Sequence, residues 1–222
     1  MSELSAAQYE RAYQGKLPIG KRPPWNIGGP QQAFVELVDS GAVGGEVLDV
    51  GCGSGALSVY LASQGFSVTG IDLAPTAIAQ ARQAAEERGV TATFLVGDVI
   101  ELAGFESRFQ TVVDCGMFPS LPSQSREKYA AALRRVCTHD ARVHLLTMSV
   151  DSRNEVKGVF GRLGMQRRIL ERLDPPDKDQ IRAAFAEHWN LVSMADSVFR
   201  VRLPIDRKPR ELPAWLISFE PA

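Results

Sequence analysis

Four aspartates close four apolar runs in the first half of this chain: Asp49 in VLDVG, Asp72 in VTGID, Asp98 in LVGD and Asp114 in TVVD. A carboxylate accepts hydrogen bonds from hydroxyls, amines and backbone N–H groups, and its charge favours a cationic ligand. Taken singly, each of the four reads equally well as a helix cap or turn former. Four in succession point to a ligand shared by at least three of them. Just after Asp49, Gly51, Gly53 and Gly55 occupy alternate positions. Missing Cβ atoms there let a backbone approach a ligand closely. Gly51, Gly53 and Ala56 also satisfy the loose dinucleotide fingerprint, with Asp72 at its expected distance. Charge argues against a pyrophosphate. Pro23 to Ala81 contains no lysine or arginine but does contain Glu36, Asp39, Glu46, Asp49 and Asp72. The helix dipole, about 0.3–1 kcal/mol at an exposed N-terminus, offsets little of that repulsion. The loop suits a ligand with cationic groups and no phosphates.

The elements that must hold these residues follow from pattern. Residues 3–14 read as a helix, Gly15 to Pro30 as a Gly/Pro-rich stretch, and Gln31 to Asp39 as a short helix. Strands at 46–50, 67–71, 92–96, 109–114 and 142–149 then alternate with helices at 56–64, 75–88 and 126–136. Pro75 suits a first helical turn and Gly89 a helix end. A helix over 178–189 and two β-rich stretches, 191–202 and 212–220, complete the chain. Alternating βα units imply a parallel sheet with helices on both faces. The fold class expected is α/β: a doubly wound, mostly parallel seven-stranded sheet with a C-terminal antiparallel hairpin. In such a sheet the ligand lies beyond the carboxyl ends of the strands, where the four aspartates stand.

The string E-V-L-D-V-G-C-G-S-G, Glu46 to Gly55, together with Asp72, Gly97-Asp98-Val99 and Asp114-Cys115-Gly116, resembles the class I S-adenosylmethionine-dependent methyltransferases. The likeness covers about residues 25–150 well and the hairpin more loosely. It implies a Rossmann-like methyltransferase fold over residues 1–222, with S-adenosylmethionine as cofactor. Its ammonium and sulfonium suit the charge pattern. The resemblance also assigns roles. Gly51, Gly53 and Gly55 pass the methionine part, with Asp49 on the ammonium side. Asp72 accepts from the ribose hydroxyls, and Leu73 joins the cofactor set. Asp98 accepts from the adenine amino group, Val99 offers backbone to the ring edge, Cys115 lines the cofactor side of the reaction site, and Trp25, Gly97 and Asp114 complete the cofactor set. Within the superfamily, Pro24-Trp25-Asn26-Ile27-Gly28 with Pro30-Gln31 is similar to the PWDxGxPQP signature of a small-molecule branch. That branch includes thiopurine, thiol and halide methyltransferases and mycobacterial heterocyclic toxin methyltransferases. Asn26 and Gln32 depart from it.

Methyl transfer mainly requires nucleophile, methyl carbon and sulfur to be held in line away from water. No general base declares itself: His144 reads as a core histidine and His139 as exposed in a turn. The catalytic residues stay unassigned. Substrate contacts are expected from Trp25, Met117 and Phe118 after strand four, and Met148 and Ser149 at the end of strand five. Residues 1–30 are expected to form an N-terminal helix and lid. The stretch Val150 to Pro176, in which Val159, Phe160, Leu163, Met165, Ile169 and Leu170 interleave with basic residues, is expected to cover the substrate side. A small aromatic or heterocyclic acceptor, methylated at oxygen or nitrogen, fits apolar lining and no base. Sulfur or halide methylation, a non-catalytic cofactor-binding protein and an NAD enzyme are the alternatives.

Composition narrows the partners. With 222 residues, 45% hydrophobic and a formal charge of −1, the chain lacks the basic excess of a nucleic-acid binder. The uncharged run Val50 to Ile71 holds five glycines and four serines, too polar for a membrane span. The N-terminal MSELSAAQYERAYQ has no apolar core and does not read as a signal peptide. Cys52, Cys115 and Cys137 form no CxxC pair and the three histidines do not cluster, so neither zinc, a disulfide framework nor redox work is expected. A reducing cytoplasm is the expected setting.

Overall fold

The central strands are apolar on both faces, and a parallel sheet buried between helices is what such runs make. In the computed structural model, which describes residues 6–16, 22–152, 155, 175–202, 206 and 208–222, the helices are α1 (Ala6–Tyr13), α2 (Gln32–Asp39), α3 (Ala56–Ser63), α4 (Pro75–Arg88), α5 (Arg126–Val136) and α6 (Lys178–Phe185). The strands are β1 (Glu46–Val50), β2 (Ser67–Asp72), β3 (Thr93–Val96), β4 (Phe109–Cys115), β5 (Cys137–Met148), β6 (Trp189–Val201) and β7 (Arg210–Pro221). They form one seven-stranded sheet in the order β3-β2-β1-β4-β5-β7-β6. Pairing is parallel from β3 through β5, and β7 is antiparallel to both its neighbours. The chain begins at β1 in mid-sheet, winds outward to β3 and restarts at β4. Strand order therefore reverses between β1 and β4, which opens a crevice there.

Two apolar layers sandwich the sheet. On one face Leu48, Val112, Val143 and Leu145 pack with Tyr129 and Leu133 of α5 and with Phe185 of α6. Phe185 stacks on Phe219 of β7, with centroids 4.2 Å apart and planes 6° apart. On the other face Val47, Val113 and Leu146 pack with Phe34 of α2 and Leu57 and Leu61 of α3. Burial of large aliphatic and aromatic side chains is the main force holding these layers, at about 1.5–3 kcal/mol for each.

Three boundaries differ from the pattern reading. β5 begins at Cys137 rather than residue 142, because the polar run Thr138-His139-Asp140 stays extended along the sheet margin past a register shift between Phe109 and Thr111. His139 is accordingly an exposed strand residue and not part of a turn. α6 ends at Phe185, and Trp189 opens β6, buried and donating its Nε1–H to Ala130 O at 2.9 Å.

The segment before α2 is tied to the far edge of the sheet. The buried Gln31 amide donates to Arg200 O and accepts from Arg200 N, both at 2.8 Å, and Arg202 N donates to Pro24 O at 2.7 Å. Gln31→Ala would leave both backbone groups of a β6 residue without their partner. Urea unfolding is expected to show a loss of about 1–3 kcal/mol.

Two carboxylates lie within the sheet core. Asp49 accepts from Ser58 Oγ at 2.5 Å, and Asp114 accepts from Tyr129 Oη, Met117 N and Phe118 N. Burial pushes both carboxyls up to about 7, against the opposing pull of those hydrogen bonds. An unfolded aspartate titrates near 3.8, so between the two values the folded chain holds protons that the unfolded chain has released. Stability therefore falls as pH rises from about 4 through about 7. Asp49→Asn retains an oxygen for Ser58 and removes one of the two titrations. Between about pH 5 and about pH 8 it should lose roughly 2 kcal/mol less stability than the wild type, at about 1.4 kcal/mol per pKa unit. Equal losses in urea titrations would show that Asp49 stays charged in the folded sheet.

Candidate active site

Asp72 ends β2 and uses both oxygens on the backbone: Oδ2 accepts from Gly53 N and Oδ1 from Ala74 N, each at 2.9 Å. The first bond joins the glycine loop to the second strand, and Cys52 N adds another to Ile71 O at 3.0 Å. The loop itself needs its glycines. Gly53 has φ +54°, and a Cβ there would stand 2.5 Å from the Tyr13 hydroxyl. Gly55, φ +81°, is the left-handed residue that starts α3, with Ala81 of α4 against it. A β-branched residue at either would meet both backbone strain and a steric obstacle. Gly51 lies under the Met117 side chain. Asp49 sits beneath the loop, 1% exposed and turned to Ser58, so its charge reaches a ligand only through the loop.

Beyond β2 and β3 the surface changes character. Leu73 and Val96 are exposed, 42% and 53% respectively, beside the half-buried Asp72. Asp98 is exposed and turns back to accept from Ile100 N at 3.0 Å, while Val99 is buried in the core. Gly97 N donates to Asp72 O at 3.1 Å, which holds the β3 exit beside β2. This arrangement fits S-adenosylmethionine. A half-buried carboxylate stands at the β2 tip, exposed apolar side chains flank it, and the adjoining glycine loop carries no cationic side chain, which suits a ligand with hydroxyls, a flat base and positive charge.

At the β4 exit the sequence-selected residues separate. Asp114 is fully enclosed, its oxygens taken by Met117, Phe118 and Tyr129. Phe118, expected at the substrate, has no exposed surface. It packs between Tyr129 and Phe185, at centroid distances of 5.9 and 5.6 Å, and under the Arg126 guanidinium. The reason is the short 3-10 turn Phe118–Ser120, which rolls the ring into the core and leaves half-buried Met117 on the cleft side, against Gly51. Cys115 and Met148 are half-buried neighbours of the layer containing Trp25. Ser149 is 2% exposed; its N–H donates to Pro213 O at 3.0 Å, and its hydroxyl has no hydrogen-bond partner among the described residues. The expected cover from Val150 to Pro176 falls mostly on residues 153–154 and 156–174, outside the described residues.

The N-terminal segment completes the site, and here residues appear that pattern alone did not single out. Trp25 Nε1 donates to Tyr13 Oη at 2.9 Å, and Trp25 stands edge-on to both Tyr9 and Tyr13. Asn26, where the resembling signature has aspartate, donates Nδ2–H to Ser54 Oγ at 3.0 Å, a bond no aspartate could donate. The spacing of Tyr9 and Tyr13, one helical turn apart ahead of PPWN, was the signal available in the sequence.

Titration argues against the rival chemistries. Burial pushes the Cys115 thiol well up, and Asp49 and Asp114 push the same way; Cys52 is raised by burial, Asp49 and Asp72. Neither is poised as a thiolate nucleophile. His144 is buried between Ser218 Oγ at 2.9 Å and Ala42 O at 3.1 Å, and burial lowers its pKa. The Ala42 carbonyl can only accept, so Nε2 carries the proton and the ring is held neutral in mid-strand, away from the cleft. Among the described residues no group of three or more possible ligands could hold a metal ion, and no helix is long and apolar enough to cross a membrane.

Comparison with known proteins agrees with this geometry. A methyltransferase domain model matches residues 47–140. The chain is 41% identical over 144 residues to the 2-heptyl-1-hydroxyquinolin-4(1H)-one methyltransferase of Mycobacteroides abscessus, a match spanning 64% of this chain and 63% of that protein's length. A methyltransferase of Schizosaccharomyces pombe is 32% identical over 123 residues, 55% of this chain and 85% of its own. Among solved structures, one from work on the conversion of a disulfide bond into a thioacetal group during echinomycin biosynthesis superposes with a TM-score of 0.90. It is 36% identical, covering 98% of this chain and 93% of its own. A SAM-dependent methyltransferase from Anabaena variabilis shares the fold, with a TM-score of 0.78 at 18% identity over 100% of this chain and 97% of its own. With its glycine loop, its Asp72 and these relatives, the chain belongs to the S-adenosylmethionine-dependent methyltransferases.

Proposed function

We propose that the protein methylates a small, flat, hydroxylated heterocycle or phenol, at oxygen or nitrogen, in a reducing cytoplasm. The observation that carries this reading is an apolar set at the β4 and β5 exits: Trp25, Cys115 and Met148 border one layer, Met117 lies against Gly51, and none of the three histidines is placed there among the described residues. An acceptor that ionises by itself near neutral pH needs no proton removed by the protein. The likeness to the hydroxyquinolinone methyltransferase supports the same class. The three cysteines are free, which suits a reducing compartment, and the near-neutral net charge gives no reason to invoke nucleic acid.

Within this reading Asp72 binds the ribose hydroxyls and the Gly51–Gly55 loop accommodates the methionine part. Leu73 and Val96 border the base, with Asp98 at its edge. When bound, S-adenosylmethionine supplies an electrophilic methyl group on a sulfonium sulfur. The protein orients the acceptor at about 3–3.5 Å in line with that bond and keeps water out. Trp25, with Tyr13 behind it, closes the solvent side.

A second reading is favoured by one observation, the 36% identity to the protein studied in thioacetal formation. A sulfur nucleophile would use the same crevice and, as a thiolate, would also need no base. Radiolabelled methyl transfer to 2-heptyl-1-hydroxyquinolin-4(1H)-one and to thiophenol, run in parallel, separates the two. Label on the quinolone supports the first reading and label on thiophenol the second; label on neither overturns both.

Asp72→Ala is expected to weaken S-adenosylhomocysteine binding by about tenfold or more, since charge-assisted hydrogen bonds are worth about 1.5–3 kcal/mol. It should also lower stability, because Gly53 N and Ala74 N lose their acceptor. At about a hundred times its dissociation constant, S-adenosylhomocysteine should stabilise the wild type by ~2.7 kcal/mol, with no matching effect from NADH. Unchanged affinity in a variant that merely melts early would leave Asp72 as a loop anchor alone.

A further inference from the structure

The chain leaves β5 at a point fixed by β7. Pairing runs as far as Met148 opposite Ala214, which brings Ser149 beside Pro213. The Ser149 N–H donates to Pro213 O at 3.0 Å, but a proline has no N–H to return. Ser149 O instead accepts from Ser152 N at 3.2 Å, and the chain turns there. The Ser152 hydroxyl donates to the same Pro213 carbonyl. The turn is thus held on β7 at both its ends.

The two serines of this turn are used unequally. Both are enclosed, Ser149 at 2% exposed and Ser152 at 1%. Ser152 spends its hydroxyl on Pro213, whereas that of Ser149 has no hydrogen-bond partner among the described residues. A buried hydroxyl without a partner gives up its hydration and regains nothing, so it counts against folding. Alanine would keep both backbone bonds of Ser149 without that cost. Folding gives no reason for the oxygen, and a ligand supplies one.

The position suits an acceptor. In the sheet order β5 stands two places from β1, so its exit lies about 9.5 Å from the β1 exit at the usual strand spacing. A planar two-ring acceptor laid over the β4 exit would span that distance, with one end toward the glycine loop and the other toward Ser149. Met117 after β4 and Met148 beside Ser149 are half-buried along this path. Enclosure keeps water from competing for the hydroxyl, and entry of the acceptor must open the packing around it.

We infer that Ser149 selects the acceptor: its hydroxyl donates to a ring oxygen conjugated with the nucleophilic atom, at the end of the ring system away from the methyl group. The acceptors selected are flat heterocycles or phenols whose negative charge is shared with a second oxygen. Donation to that oxygen favours the ionised acceptor, which reduces the need for a base. The inference rests on the oxygen- or nitrogen-methylation reading above.

The test compares Ser149→Ala and Ser149→Cys with the wild type. The cysteine variant keeps the side chain's extent and leaves only a weak donor. The acceptor probe is 2-heptyl-1-hydroxyquinolin-4(1H)-one, whose ring carbonyl is conjugated with the N-hydroxyl group. Both variants are expected to raise its KM about fivefold to tenfold. The rising limb of kcat against pH should move to higher pH, because the bound acceptor loses the bond that favours its anion. Affinity for S-adenosylhomocysteine, measured by calorimetry, should stay within about twofold. Unliganded Ser149→Ala should melt at or above the wild-type temperature, since the free protein loses no hydrogen bond. A clearly lower melting temperature, or a variant that does not fold, would mean that the hydroxyl serves the fold, and would overturn the assignment. So would a wild-type KM and pH limb in either variant of an enzyme that methylates the quinolone. A wild type that binds S-adenosylhomocysteine but does not methylate the quinolone overturns the heterocycle reading, and this inference with it.

Discussion

Asp72 accepts two backbone N–H groups, one from the glycine loop and one from the start of α4, and the rest of the carboxyl edge depends on that pairing. A loop with three left-handed glycines has little conformational preference of its own. It needs an external anchor, and Asp72 supplies one from the neighbouring strand. Once Gly53 is fixed, α3 can begin at Gly55, and the Tyr13 hydroxyl has a surface without a side chain to rest on. Tyr13 then receives Trp25, and through Trp25 the N-terminal segment runs on to Gln31 and the far edge of the sheet. A single carboxylate thus connects the glycine loop to the N-terminal segment packed on it.

The fold was legible because burial and period coincide. β1, β2 and β4 are short apolar runs bounded by glycine or aspartate, and Pro75 and Gly89 mark α4 at both ends, as the structure has them. β5 was read short because its first third is polar. Strand there is maintained by pairing with β4 rather than by its own pattern, and pairing is not visible in a single sequence. The end of α6 was hidden for a related reason. Trp189 is apolar in either element, and only its bond to Ala130 O and its place opposite Pro221 make it a strand residue.

The site was legible in a different measure. Gly51, Gly53, Gly55 and Asp72 form one connected unit, and their types and spacing announced it. Phe118 and Met117 are adjacent in sequence and equally apolar, yet one is core and the other faces the glycine loop. The 3-10 turn that separates them depends on Asp114 accepting from both of their N–H groups, a tertiary fact.

The four aspartates show how one residue type in one topological place can serve separate ends. An ionised carboxylate offers roughly four acceptor positions. Asp114 meets three donors and has no exposed surface, so none of its oxygen faces a ligand. Asp49 meets Ser58 and is 1% exposed; protonated or not, it acts on the loop from beneath. Asp72 spends two positions on backbone and stays half-buried at the crevice, which leaves acceptor capacity on the ligand side. Asp98 uses one position on Ile100 N and is exposed, so it too has oxygen to offer. Acceptor capacity toward solvent therefore remains on Asp72 and Asp98 and not on the inner two. The inner pair has another use. Buried carboxyls with raised pKa values are partly protonated near neutrality, which limits the negative charge held under the loop. Asp72 and Asp98 stand nearer to solvent, while the inner two shape the backbone of the strand exits above them.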